Sequence, residues 1–115
     1  MAFSDTAFGP LDGVNDVVVV PAPPPTVRRL VTSLRIINGD SASSTTSIRL
    51  RRTGVVPSGD PLFVAVFPPL VVAAGNDLDR GKQIMVTSEY ELIASLAVEP
   101  TTSPVTFVAI WMDLA

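Results

Sequence analysis

This chain is written in short apolar-rich or β-prone runs, several of which sort into two faces at a period of two, stopped about every ten residues by glycine, proline or asparagine. A period of two lays one set of side chains on each face of a β-strand, whereas a helix needs apolar residues three and four apart. The pattern therefore predicts an all-β protein. Leu30, Thr32, Leu34 and Ile36 fall on one face of a strand, and Arg29, Val31, Ser33, Arg35 and Ile37 on the other. Asn38-Gly39 ends that run with a strong turn signal. Thr46, Ile48 and Leu50 then alternate with Ser47, Arg49 and Arg51. Leu92, Ala94, Leu96 and Val98 alternate with Ile93, Ser95 and Ala97. Thr106, Val108, Ile110 and Met112 alternate with Val105, Phe107, Ala109 and Trp111.

Shorter apolar runs lie at Val17 to Val20, Leu62 to Phe67, Leu70 to Ala73 and Gln83 to Ser88. Seven to eight strands at such spacing predict a single antiparallel β-sandwich or jelly-roll-like domain. Glu91 to Ala97, the best helical candidate, has no N-cap followed by an apolar stripe. At 115 residues there is room for one domain and one modest core.

The first residues do not share the period. Residues 1–16 hold Gly9, Pro10 and Gly13 among scattered aspartates and predict an extended N-terminal arm, mobile on its own. Pro21-Ala22-Pro23-Pro24-Pro25 then excludes helix and central strand. It reads as a stiff turn into the first core strand, or as a proline-rich ligand for another domain. The expected division is residues 1–26 as arm and spacer and residues 27–115 as the sandwich.

The chain contains neither cysteine nor histidine. Disulfides, thiol nucleophiles and thiolate metal sites are thereby excluded, as are the usual general base and the commonest metal ligand. Ser58 is outside any nucleophile elbow, and Lys82, the sole lysine, has no serine three residues before it. Asp77 and Asp79 sit in a glycine-bounded loop, but Arg80 intrudes and no acid closes it before Glu89, so a turn is expected over a calcium site. Glu89 and Glu91 read as exposed strand-end charges. Tyr90 and Trp111 are the residues able to stack on a sugar, although tryptophan in an alternating terminal strand favours core or interface. An enzyme is not expected, and no catalytic residue, cofactor or metal is assigned. No run approaches the length of a membrane-spanning helix, and Met1 to Asp5 has no signal-peptide pattern, so synthesis in a cytoplasm is expected.

Charge is unevenly divided. Residues 28–52 hold Arg28, Arg29, Arg35, Arg49, Arg51 and Arg52 against Asp40 alone, while the remainder is strongly acidic and the whole chain has a net charge of −3. On neighbouring antiparallel strands, Arg29 and Arg35 would share a face with Arg49 and Arg51. The use of arginine favours bidentate pairing to carboxylate or phosphate. The band reads as a solvated face, a subunit interface facing acids, or a nucleic-acid surface. The acidic net charge and the few aromatics argue against the last. These six arginines are the candidate interface residues. Reversing Arg49 and Arg51 to glutamate is expected to leave the fold intact and abolish assembly, since both lie off the core face. Charged residues are only 17% of a chain that is 47% apolar, which implies surface covered by a partner and a homo-oligomer, with a trimer preferred.

The order of features carries a resemblance. A proline-rich entry leads to Val27-Arg28-Arg29-Leu30-Val31-Thr32-Ser33-Leu34-Arg35-Ile36-Ile37-Asn38, followed by Ser47-Ile48-Arg49-Leu50-Arg51. An Ala73-Ala74-Gly75-Asn76-Asp77-Leu78 turn and a last strand ending Phe107-Val108-Ala109-Ile110-Trp111 come later. Over about residues 20–114 this resembles small β-sandwich virion proteins of tailed bacteriophages, of the capsid decoration or cement and the neck or tail-accessory kinds. The resemblance implies a structural virion protein without catalysis that binds the major capsid protein or another virion protein. Its N-terminal arm would lie across neighbouring subunits. A capsid decoration subunit is the first expectation. A neck or tail accessory, or a receptor- or glycan-binding module of the tail, is the alternative. No nucleic-acid or membrane partner is implied.

Overall fold

The computed structural model describes residues 3–54, 56, 58–80 and 83–114. Among them are ten strands and no helix: β1 (Phe3–Pro10), β2 (Val17–Val20), β3 (Arg28–Asn38), β4 (Ser44–Arg52), β5 (Phe63–Ala65), β6 (Leu70–Val72), β7 (Asp77–Arg80), β8 (Ile84–Val86), β9 (Tyr90–Leu96) and β10 (Val105–Leu114). They form two five-stranded antiparallel sheets. The first runs β1-β10-β3, with β7 and β8 both paired to the far side of β3. The second runs β2-β9-β4, with β5 and β6 both paired to β4. The thinnest dimension is 19 Å, as expected for two sheets packed face to face about 10 Å apart. The expected all-β sandwich is present.

The core lies between the sheets. Val105, Phe107, Ala109 and Trp111 project into it from β10, and Val31, Leu34 and Ile36 from β3. Ile48 of β4 and Leu92, Ala94 and Leu96 of β9 meet them from the other sheet. Each fully buried valine, leucine or isoleucine contributes about 1.5–3 kcal/mol. On β9 the alternate residues Ile93 and Ser95 are buried too, on a central strand flanked by β2 and β4.

Three expectations change. Strict alternation along residues 29–37 fails at Thr32. Ile110 faces Ser33 and the next residue, Trp111, faces Val31, so Thr32 is an unopposed bulge residue. A bulge adds one residue to one strand and reverses which face follows. Val31 therefore points inward together with Leu34 and Ile36, and Leu30 does not join the buried set.

Residues 3–20 also do not stand apart from the sandwich. β1 pairs with β10 from Phe3–Asp113 to Pro10–Thr106. Beyond it the Leu11 N–H donates to the Val105 carbonyl at 2.7 Å, and Leu11 is buried. Gly13, at φ 54°, turns the chain beneath, and its carbonyl accepts from Leu96 N–H. β2 pairs with β9. Backbone pairing with two strands outweighs the lack of side-chain period that suggested a free arm. The proline-rich segment 21–27 crosses from one sheet to the other. Finally, β3 and β4 are consecutive but belong to opposite sheets, which separates residues expected to be neighbours.

Candidate functional site

The arginine band is divided by this topology. Arg49 and Arg51 lie on the outer face of the β4 sheet, while Arg29 and Arg35 belong to β3 in the other sheet. The bulge at Thr32 then places Arg29 and Arg35 on different faces of β3. The expected shared face does not form, because β3 and β4 never pair.

Most of the band is met by acids of the same chain. Arg49 contacts Asp16 at 2.6 Å, and Arg51 reaches Glu91 at 2.7 Å and Asp16 at 3.8 Å. The Arg49 guanidinium also lies over the Phe63 ring, 4.6 Å from its centre. Arg52 contacts Asp60 at 3.0 Å and Glu89 at 3.9 Å beside Tyr90. Arg29 pairs with Asp113 at 2.9 Å, donates to the Pro21 carbonyl at 2.8 Å and covers Trp111. Arg35 contacts Asp77 at 3.2 Å with both side chains half exposed, a pair worth about 0–1 kcal/mol. Arg28 is exposed at the start of β3. The local excess of positive charge read from residues 28–52 is thus largely balanced in space by acids distant in sequence.

The outer face of the first sheet is different in kind. Cross-strand register aligns Phe8 with Val108 and Thr6 with Ile110. Phe8 is 78% exposed, and Ile37, Met85 and Ile110 are also exposed on this face. Phe8, Pro10, Ile37, Thr106 and Val108 border an open apolar depression of about 410 Å³. Isolated exposed apolar residues are ordinary, but a contiguous apolar patch, here bordered by the Arg35–Asp77 pair, marks a docking surface. Nothing in the sequence singled out Phe8. The available signal was a large aromatic in a segment whose neighbours are small or polar.

Asp40 is the other residue the sequence undervalued. It lies almost buried in the β3–β4 turn. Its carboxylate accepts from the backbone N–H of Thr101, Thr102 and Ser103 and from the hydroxyls of Thr101 and Thr102. The backbone bonds from Thr101 and Thr102 hold its carboxyl far below the usual carboxylate range, against the opposing effect of burial. Asn38 adds bonds to the carbonyls of Ala42 and Val72 and accepts from Asp40 N–H. This knot joins the β3–β4 and β9–β10 crossovers at one end of the sandwich. Its chemistry is structural: every acceptor is filled by the chain itself.

The remaining sequence candidates separate clearly. Asp77 and Asp79 are on β7, engaged by Arg35 and by the Ser33 hydroxyl, and no group of three metal-ligating side chains occurs among the described residues. Trp111 is core, 4% exposed, and Tyr90 is half-buried, so the tryptophan has no face free for a sugar. Glu91 is held by Arg51 while Glu89 is largely exposed. Ser58 is an exposed turn residue, and Lys82 lies outside the described residues. No protein-family model matches this chain, and no curated protein matches it.

Proposed function

We propose that the chain is a structural subunit of a tailed-phage particle, a decoration or cement protein that binds the assembled capsid shell and stabilises it without a catalytic step. The observation that carries this reading is the apolar outer face of the β1-β10-β3 sheet, which a chain with few charges leaves uncovered. The resemblance of the strand pattern to small virion sandwiches supplies the particle as the setting. The mechanism is geometric. A subunit that binds the shell and not dissociated coat chains stabilises the shell by mass action, about 2.7 kcal/mol per site at a hundredfold excess over Kd. The arginines contribute less to docking in this reading than their number suggests, because acids of the same chain already meet most of them. Quantitative mass spectrometry of purified particles tests the proposal. A copy number close to that of the coat protein is expected. A few copies per particle would move the protein to the neck or tail, and absence from particles overturns the viral reading.

A further inference from the structure

The β1 edge is open, and its backbone pattern can be derived. Leu11 N–H bonds to the Val105 carbonyl in continuous register with Pro10–Thr106. Bonded and non-bonded pairs alternate in an antiparallel ladder. Asp5, Ala7 and Gly9 therefore turn their backbone groups toward β10, and Ser4, Thr6, Phe8 and Pro10 turn theirs to the open edge. Two observations agree. The Thr6 N–H donates to the Asp5 carboxylate at 2.8 Å, as an N–H turned away from β10 can. Pro10, which has no N–H to give, occupies an edge-facing position, where proline is tolerated.

The other sheet edges are protected. β5, β6 and β8 have three residues each, β2 has four and a register shift, and β7 carries Asp77, Asp79 and Arg80. β1 has eight residues in unbroken register and a single charge, Asp5. Long edges without lysine, bulge or cover are templates for another strand.

We propose that the β1 edge pairs antiparallel with β1 of a second copy of this chain, across a two-fold axis at Ala7. This register sets Thr6 against Phe8 of the other copy and Ser4 against its Pro10, so edge-facing groups meet edge-facing groups, with the Thr6 N–H exchanging the exposed Asp5 carboxylate for the Phe8 carbonyl of the other copy. The missing N–H of Pro10 falls at the ends of the ladder. Asp5 faces Gly9, so the only charge on the strand meets no like charge. The two Phe8 side chains take diagonal positions on the outer face, about 7–8 Å apart at the backbone and within reach of each other, which covers a ring now 78% exposed. Self-complementarity in hydrogen bonding, charge and apolar contact is what selects a second copy as the occupant. Such an isologous contact closes with two copies, so a dimer replaces the trimer preferred from the sequence.

The inference rests on the reading of the chain as an assembling subunit, but its test needs only the isolated protein. Sedimentation velocity of the full chain over a concentration series should show a monomer–dimer equilibrium. The chain has no cysteine, so Ala7→Cys introduces a single thiol at the axis. Non-bonded pairs stand about 4.5 Å apart at Cα, within disulfide reach. Mild oxidation should give a covalent dimer, whereas Val18→Cys on the β2 edge should not. Phe8→Asp, at an exposed site, should keep the circular dichroism spectrum and weaken association at least about tenfold. A protein monomeric at all concentrations, an Ala7→Cys chain that does not cross-link, or a dimer indifferent to Phe8→Asp would each overturn the pairing. A monomer still found in purified particles would leave the shell reading standing, and a cross-linked dimer absent from particles would do the reverse.

Discussion

Arg51→Glu is the substitution that best separates an arginine held by its own chain from one offered to a partner. Arg51 stands directly opposite Glu91 on β4 and β9 and touches it at 2.7 Å, with a longer contact to Asp16. The two side chains of the pair are only 30% and 19% exposed, so solvent screens them incompletely. Losing the two attractions removes about 0.5–1 kcal/mol each. The new carboxylate faces Glu91 at about 4 Å, where repulsion lies between about 1 kcal/mol in water and about 4 kcal/mol near a protein surface. A total of about 2–6 kcal/mol follows, which at about 4 °C per kcal/mol for a chain of this size lowers Tm by roughly 8–24 °C. Thermal melts followed by circular dichroism measure this. Adding Glu91→Arg restores an opposite pair at the same two positions and should recover at least half of the loss. About 1 M salt, with a Debye length near 3 Å, should shrink the deficit of the single variant. The expectation that reversal at Arg49 and Arg51 leaves the fold untouched is therefore replaced by one of a weakened fold. If Arg51→Glu melts with the parent, or if the exchange rescues nothing, the in-chain network is not holding the arginine and its role as a docking residue returns.

Three further outcomes are expected. Asp40→Asn should melt earlier than the parent at neutral pH. The folded carboxyl titrates far below its unfolded value of about 3.9, so its contribution is complete above that pH and lost as pH falls toward the folded value. The gap between the two melts should therefore narrow below about pH 4, and a constant gap would count against the knot. Arg29→Ala should shift the emission of Trp111, the only tryptophan, to longer wavelength, because the guanidinium 5.4 Å from the ring shields it from water; unchanged emission would mean other groups provide the cover. Deleting Thr32 should abolish a cooperative melt by reversing the faces of half of β3, while Thr32→Ala, which keeps the residue count, should fold normally.

Period two, read from residues alone, determines which side chains share a face of one strand. It was enough for the all-β class, the turn after Asn38, the core face of β4 at Ile48, and the two alternating sets of β10, of which the structure buries the one that holds Trp111. Period two carries no information about which sheet a strand joins. β3 and β4 look like hairpin partners because a turn separates them, yet Asp40 and Asn38 tie that turn into a crossover whose bonding partners, Thr101, Thr102 and Val72, are remote in sequence. The arginine band was lost in the same way, since its acids lie on β2's approach, the loops before β5 and β9, and β7, β9 and β10. The bulge at Thr32 is equally invisible locally, because an extra residue is defined only against the strand opposite. β1 has no period to read, and its place at the sheet edge comes from backbone bonds to β10, which depend little on side-chain identity. Side-chain pattern is a local property and could be read directly. Pairing, crossover and edge exposure are long-range properties, decided only when the two sheets close on one core.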